Sequence, residues 1–198
     1  MIKGIIFDLD GTLVHLPIRY DIIRKELQKL FNTNNEFIPL IPSILKIAAN
    51  SDMVDRAFKI ICKQEVVATN KLEIVEGAVD ILNYLNSQKF LLGLVTLQCR
   101  RAAEKIISKM GTENLFSYVL TRDESNSRVD QLEKTLKELH LSSDEVIMIG
   151  DRLNDVTSAT KVGLRSILVG KKKLEDNLGK VLIVERLSEL KSGKFFKV

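Results

Sequence analysis

The alternation of short apolar runs and helical segments from residue 76 onward constrains the fold most. Five segments predict strands: FLLGLVT, a continuous apolar run short enough for a buried strand, and SYVLT, DEVIMIGD, RSILVG and KVLIV. Helical segments such as CRRAAEKIISKMG and VDQLEKTLKELHL stand between them. This alternation is typical of a parallel sheet with helices on both faces, so we predict an α/β fold with a doubly wound parallel sheet.

The segment between the first strand and this alternating region has a different pattern. GIIF at residues 4–7 predicts a strand, whereas residues 15–74 read as a run of helices without a strand. A connection of that length is more often functional than a passive loop. We therefore predict a core domain formed by residues 1–14 and 75–198, with a helical domain inserted at residues 15–74.

Composition indicates an ordinary globular protein and narrows the range of partners. Hydrophobic residues make up 45% of the chain and charged residues 28%, and the net charge is +4. The basic clusters, Lys171–Lys173 and the tail KSGKFFKV, are explained by a solvated loop and a chain end, so no nucleic acid is expected. No apolar run reaches 18 residues and Met1 leads directly into the first strand, so we expect no membrane association and a cytoplasmic location. The oligomeric state is left open.

Polar side chains follow the ends of several predicted strands. They are Asp8 and Asp10 in DLDGTL, Thr96 after LGLV, Asp151 and Asp155 in GDRLND, and Arg122 and Arg128 in the loop after SYVLT. The carboxyl ends of parallel strands meet at one edge of a sheet, where ligands bind. We therefore expect these side chains to converge on one crevice.

This set of side chains suits phosphate chemistry. Clustered carboxylates without histidine or cysteine favour Mg²⁺ over zinc, and a divalent cation relieves the repulsion between Asp8 and Asp10. One aspartate can attack phosphorus, and a second can protonate the leaving oxygen. Thr96 and the backbone amides of the Gly11–Thr12 turn would bind the transferring oxygens, and a basic side chain would offset the growing charge.

Three of these segments resemble motifs of the haloacid dehalogenase-like superfamily. DLDGTL resembles the first motif, LGLVT the second and GDRLND the fourth. The resemblance implies a Rossmann-like core, with Asp8 as nucleophile and Asp10 as general acid/base. It also implies that Asp8, the Asp10 backbone carbonyl and Asp151 hold Mg²⁺ with support from Asp155, and that the helical insert is a cap that closes over the site and selects substrate.

The third motif departs from the family pattern. The family normally supplies a lysine there, whereas SNSRVDQLEKTL contains none at that place, and Arg128 is the nearest match. Arginine keeps the positive charge but presents a planar fork instead of a compact ammonium group. Arg128 is therefore interpreted either as a phosphate ligand or as a surface residue at the start of a helix.

These observations lead to one favoured function and two alternatives. We expect a Mg²⁺-dependent phosphoric monoester hydrolase that acts on a small phosphorylated metabolite, such as a phosphoglycolate-like or sugar-phosphate-like molecule, through an aspartyl-phosphate. Aspartate at position 10 favours phosphate esters, because the dehalogenases and phosphonate hydrolases of the superfamily lack it. A phosphomutase shares all the core residues. Arg128 in place of lysine also leaves open a second alternative, a non-catalytic regulatory protein that binds metal or phosphate.

Overall fold

The computed structural model describes residues 1–170, 181–192 and 195–196. The cluster Lys171–Lys173 lies outside the described residues. The chain divides into two compact units, of which the first combines Met1–His15 with Glu73–Val198 and the second comprises Leu16–Leu72. The assignment of the insert as a cap domain stays a prediction.

A six-stranded parallel sheet forms the centre of the first unit. Its strands are β1 (Gly4–Phe7), β4 (Leu91–Val95), β5 (Tyr118–Leu120), β6 (Val146–Gly150), β7 (Arg165–Val169) and β8 (Val181–Val184). They lie in the order β5-β4-β1-β6-β7-β8, and every neighbouring pair is parallel. The predicted α/β fold with a Rossmann-like, doubly wound sheet is confirmed.

In the described residues, four helices lie between these strands. They are α4 (Ala78–Ser87), α5 (Arg100–Met110), α6 (Arg128–Leu139) and α7 (Leu153–Val162). Short 3₁₀ segments occupy Ser143–Glu145 and Leu187–Ser192. Helix α7 ends at Gly163, which has a φ of 80°, a left-handed conformation that glycine adopts without steric cost.

Apolar side chains from the strands and two helices form the core next to the site. Ile6 of β1, Val95 of β4 and Met148 of β6 are fully buried and pack with Leu132 of α6 and Ala159 of α7. Successive strand residues point to opposite faces of a sheet. The apolar runs are continuous rather than alternating because both faces of the sheet are buried at these strands.

The second unit is helical and has its own core. It contains α1 (Tyr20–Phe31), α2 (Leu40–Ile47), α3 (Ser51–Ala68) and a 3₁₀ turn at Thr69–Lys71. Its buried cluster consists of Ile23, Leu27, Phe37, Ile44, Ala57 and Ile61. None of the helices in the described part of the chain is both long and apolar enough to cross a membrane.

A small two-stranded ladder marks the place where the chain leaves and re-enters the first unit. β2 (Val14–His15) pairs antiparallel with β3 (Glu73–Ile74), with Val14 opposite Ile74. The two ends of the inserted segment therefore start from adjacent positions.

Strand order determines where a ligand can bind. The chain starts at the central strand β1, builds β4 and β5 on one side, and then returns to build β6, β7 and β8 on the other. The connections thus diverge on either side of β1, which creates a crevice at its carboxyl end.

Candidate active site

Asp8 lies at that crevice, directly after β1. Its backbone N–H donates to the Ile149 carbonyl of β6 at 2.9 Å, and the residue is only 5% exposed. On the other side of β1, the Thr96 N–H at the end of β4 donates to the Leu120 carbonyl at 3.0 Å. The sheet ladder therefore continues past the strand ends and holds the backbone of both residues in place.

Three carboxylates meet at this edge. Oxygen atoms of Asp8, Asp151 and Asp155 all lie within 4.8 Å of one another. Asp155 is buried in the first turn of α7, where its Oδ2 accepts from the Arg152 N–H at 3.2 Å. The spacing GDRLND thus turns two aspartates toward one point, because the chain bends from β6 into α7 between them.

Two glycines leave the space that the carboxylates need. A Cβ on Gly11 would lie 2.5 Å from the Asp151 carboxyl carbon, and a Cβ on Gly150 would collide with the Asp155 carboxylate. Gly11 also has a φ of 97°, which disfavours any side chain. Next to it, the fully buried Thr12 directs its hydroxyl toward Asp151 Oδ1 at 3.5 Å.

Arg128 supplies a buried positive charge to the cluster. It is the first residue of α6 and is 8% exposed, and its Nη2 donates to Asp8 Oδ1. Its Nε lies 3.1 Å from Asp155 Oδ1, an ion pair without hydrogen-bond geometry. The interpretation of Arg128 as a surface arginine is therefore wrong, because a buried guanidinium requires anionic partners and finds two of them.

Thr96 and two glutamines form a hydrogen-bonded group beside Arg128. The Thr96 hydroxyl donates to Gln98 Oε1, and the Gln98 N–H donates back to Thr96 Oγ1 at 3.2 Å. Gln131 Nε2 donates to the Thr96 carbonyl at 2.8 Å. Neither glutamine was predicted from the sequence, although Gln131 lies three residues after Arg128, a spacing that places both on one helix face.

Asp10 is not among the three clustered carboxylates, and Arg122 is bound to the loop after β4. Asp10 is half-buried, and its backbone forms an isolated β-bridge with Val14. It does not belong to the carboxylate cluster found among the described residues. Arg122 is buried, and its Nη1 donates to the Leu97 carbonyl. Arg122 therefore stabilises the loop after β4.

The environment of Asp8 and Asp155 disfavours their ionised forms. The pKa of Asp8 is raised to about 7, mainly by burial; Arg128 opposes this rise, and the charges of Asp155 and Asp151 contribute to it. Burial also raises the pKa of Asp155, again opposed by Arg128. One guanidinium does not balance three carboxylates at this depth, so the cluster favours an additional cation.

The donor set fits magnesium. The cluster offers carboxylate oxygens from Asp8, Asp151 and Asp155 and contains neither histidine nor cysteine. Hard oxygen ligands of this kind suit Mg²⁺, which binds through a few carboxylates and retains water or phosphate oxygens in its remaining positions.

Comparison with known proteins places this geometry in a family. The sequence model of the haloacid dehalogenase-like hydrolases matches residues 5–169. The chain is 25% identical over 185 residues to pyrophosphatase PpaX of Halalkalibacterium halodurans, covering 85% of this chain and 84% of that protein. It is also 25% identical over 181 residues to phosphoglycolate phosphatase of Synechococcus elongatus, covering 84% and 83%.

The fold is shared with solved structures. One is the haloacid dehalogenase-like family protein SP0104 of Streptococcus pneumoniae, with a TM-score of 0.68, 20% identity, and coverage of 98% of this chain and 99% of that one. The family match spans the central strand, the acidic cluster and Arg128 alike. The chain therefore belongs to the haloacid dehalogenase-like hydrolases, as the resemblance of its motifs predicted.

Proposed function

We propose that this hydrolase is a Mg²⁺-dependent phosphatase that releases phosphate from a small phosphorylated metabolite through an aspartyl-phosphate. The observation that carries the proposal is the position of Asp8. It is a buried carboxylate at the carboxyl end of β1, where the connections diverge, in contact with Arg128 and next to Asp151 and Asp155. Relatives named as phosphoglycolate phosphatase and pyrophosphatase support phosphate transfer as the reaction class.

In the first step, an Asp8 carboxylate oxygen attacks phosphorus and the bond to the ester oxygen breaks. Asp10 gives its proton to the leaving oxygen, which departs as the alcohol. Arg128 and the Thr96 hydroxyl bind the oxygens of the transferring group and offset their growing charge. In the second step, Asp10 takes a proton from water, the water oxygen attacks phosphorus, and phosphate leaves Asp8 in its original form.

The proposed metal site lies at the acidic cluster. Asp8, Asp151 and the Asp10 backbone carbonyl would hold Mg²⁺, and Asp155 would support it. The ion supplies positive charge that neutralises the carboxylates and the phosphate dianion. The Gly11 N–H already donates to the Val14 carbonyl at 2.7 Å, so of the two turn amides proposed from the sequence only that of Thr12 is assigned to a phosphoryl oxygen.

We further propose that Leu16–Leu72 acts as a cap that selects the substrate. This unit has its own apolar core, built from residues such as Ile23, Leu27 and Phe37, and so has the means to fold as a separate element. An inserted segment of this length is more often functional than passive.

The test is phosphate release from a panel of phosphoglycolate, sugar phosphates, pyrophosphate and an aryl phosphate, with Mg²⁺ or with chelator. We expect Mg²⁺-dependent release that Asp8→Asn abolishes. The exposed Asp144, at the opposite end of the sheet, provides the matched control, and Asp144→Asn should retain activity. Loss of activity in both variants would contradict the assignment of Asp8.

The two alternatives give different results in the same assay. A phosphomutase would interconvert sugar-phosphate isomers with little release of phosphate. A non-catalytic binding protein would be stabilised thermally by Mg²⁺ and phosphate but would turn over no substrate. Either result would replace the phosphatase proposal.

A further inference from the structure

Gln131 is a fully buried polar side chain whose hydrogen-bonding groups are all used. It lies on α6, one turn after Arg128, and is 0% exposed. Its Oε1 accepts from Arg128 Nη1 at 2.9 Å. Its Nε2 donates to the carbonyls of Thr96 at 2.8 Å and of Ser125 at 2.9 Å.

The surroundings allow only one orientation of this amide. Nε2 has two hydrogens and faces two carbonyl oxygens, whereas Oε1 faces a guanidinium group, which can only donate. The reversed amide would place donor against donor and acceptor against acceptors. Gln131 therefore joins three parts of the site in one arrangement: the end of β4, the loop before α6, and the Arg128 side chain.

The guanidinium of Arg128 is held on three sides. Nη2 donates to Asp8, Nε pairs with Asp155 at 3.1 Å, and Nη1 donates to Gln131. Asp8 and Asp155 both attract the positive charge of the guanidinium. Gln131 is a neutral partner and determines the orientation of the guanidinium plane. An arginine needs such a partner more than a lysine does, because its donors have fixed directions.

We propose that Gln131 is a positioning residue that aims the Arg128 guanidinium at Asp8 and at the phosphoryl group transferred to it. The inference rests on the proposed function for its kinetic consequence, but the orientation of Arg128 is a property of the protein alone. The side chain must also be neutral, because a carboxylate at this place would compete with Asp8 for the guanidinium and would face the Thr96 and Ser125 carbonyls.

The kinetic test uses Gln131→Met, which keeps the length of the side chain and removes its three hydrogen bonds. We expect kcat to fall roughly tenfold to a hundredfold, the usual effect of losing a hydrogen bond to a charged group, with KM changed less than about threefold. In an Arg128→Lys background the same change should cost less than about threefold, because the partner of Gln131 is already gone.

Thr135→Val is the matched control. Thr135 is fully buried on the same helix, and its hydroxyl donates to the Gln131 backbone carbonyl at 2.8 Å without contacting Arg128. This variant also removes a buried hydrogen bond, and we expect it to lower the melting temperature while leaving kcat unchanged. Equal kcat losses from Gln131→Met in both backgrounds would show a merely structural role and overturn the proposal.

A second measurement separates this inference from the phosphatase proposal. In ¹⁵N NMR spectra of the metal-free protein, Arg128 Nη–Hη signals should be resolved because rotation of the guanidinium is hindered; Arg128→Lys identifies them. We expect Gln131→Met to broaden these signals and Thr135→Val to leave them sharp. If the wild type hydrolyses nothing, the phosphatase proposal fails, and unchanged Arg128 signals in Gln131→Met would overturn the positioning role independently.

Should Gln131→Met not fold, Gln131→Glu takes its place, because it keeps both the shape of the side chain and the acceptor. The expected outcome is then a shift of the Arg128 signals and a fall in kcat, since the new carboxylate draws the guanidinium away from Asp8. Unmoved signals would overturn the proposal.

Discussion

Asp8 is buried beside Asp155 and Arg128, with the half-buried Asp151 also within reach, so its charge is costly until a cation joins the cluster. A carboxyl group with a higher pKa in the folded than in the unfolded state binds extra protons on folding. Its contribution to stability is greatest at acidic pH and is lost as the pH rises. For Asp8 the loss runs from its ordinary pKa of 3.8 to about 7.

We therefore predict that metal-free wild-type protein becomes less stable relative to Asp8→Asn as the pH rises from 5 to 8. The melting-temperature difference should grow by several degrees, at roughly 2–4 °C for each kcal/mol in a chain of this size. Added Mg²⁺ should reverse the trend and stabilise the wild type more at pH 8 than at pH 5, because protons compete with the metal for the carboxylates. A pH-independent difference between the two proteins would contradict the burial effect.

Alanine substitutions at Gly11 and Gly111 separate the cost of backbone strain from the cost of placing a side chain in the site. Gly11 and Gly111 both have positive φ, of 97° and 65°, but a Cβ on Gly11 meets the Asp151 carboxylate whereas a Cβ on Gly111 meets nothing within 4 Å. We predict that Gly111→Ala costs about 1 kcal/mol from strain alone. Gly11→Ala should cost more and should also abolish the Mg²⁺-induced rise in melting temperature. Similar Mg²⁺ responses in both variants would contradict the close approach of the turn to Asp151.

Helix α6 is the element that brings Arg128 and Gln131 to the sheet, and its first turn depends on a cap. Ser127 Oγ accepts from the Asp130 N–H at 3.4 Å, and Arg128 follows Ser127 directly. Because α6 begins at the carboxyl edge of the sheet, fraying of this turn displaces a group of the site. A cap at the other edge carries no such consequence.

We predict that Ser127→Ala lowers stability by about 1 kcal/mol and also lowers kcat severalfold. Ser142, which forms a capping box with Glu145 before β6, is the matched control at the opposite edge of the sheet. Ser142→Ala should cost comparable stability, measured by denaturant unfolding, with kcat unchanged. Equal kinetic effects of the two substitutions would argue against a dependence of the site on the α6 cap.

On the scale of the whole molecule, the ladder between β2 and β3 indicates that the first unit can be closed without the inserted segment. His15 pairs with Glu73, so the residues at either end of Leu16–Leu72 lie on adjacent antiparallel strands. Such strands can be joined by a two-residue turn. The first unit also contains the complete six-stranded sheet and all the residues of the acidic cluster.

We predict that replacing Leu16–Leu72 by Asn-Gly yields a folded protein with a cooperative thermal transition and a Mg²⁺-induced rise in melting temperature. It should hydrolyse an aryl phosphate but no longer discriminate among phosphorylated metabolites, since the proposed cap is gone. The full chain, assayed on the same panel, is the control. An unfolded product would show that the first unit depends on the second, and unchanged discrimination would refute the proposed role of the cap.

The sequence determined the α/β class, the parallel sheet and the family, because these follow from local patterns. Apolar runs such as FLLGLVT and VIMIG carry the strand signal within a few residues, and DLDGTL and GDRLND are each contiguous. The sequence also indicated that Asp8, Asp151 and Asp155 converge, since parallel strands share one carboxyl edge.

Only the tertiary structure decided which partners Arg128 and Gln131 bind. Burial of a guanidinium and its choice of partners depend on side chains far apart in the chain, with Arg128 separated from Asp8 by 120 positions. The same applies to Gln131, whose amide joins the end of one strand to a helix that follows the next. Periodicity reports which face of an element is buried, whereas the partners of a buried polar group are set by the packing of elements that no local pattern encodes.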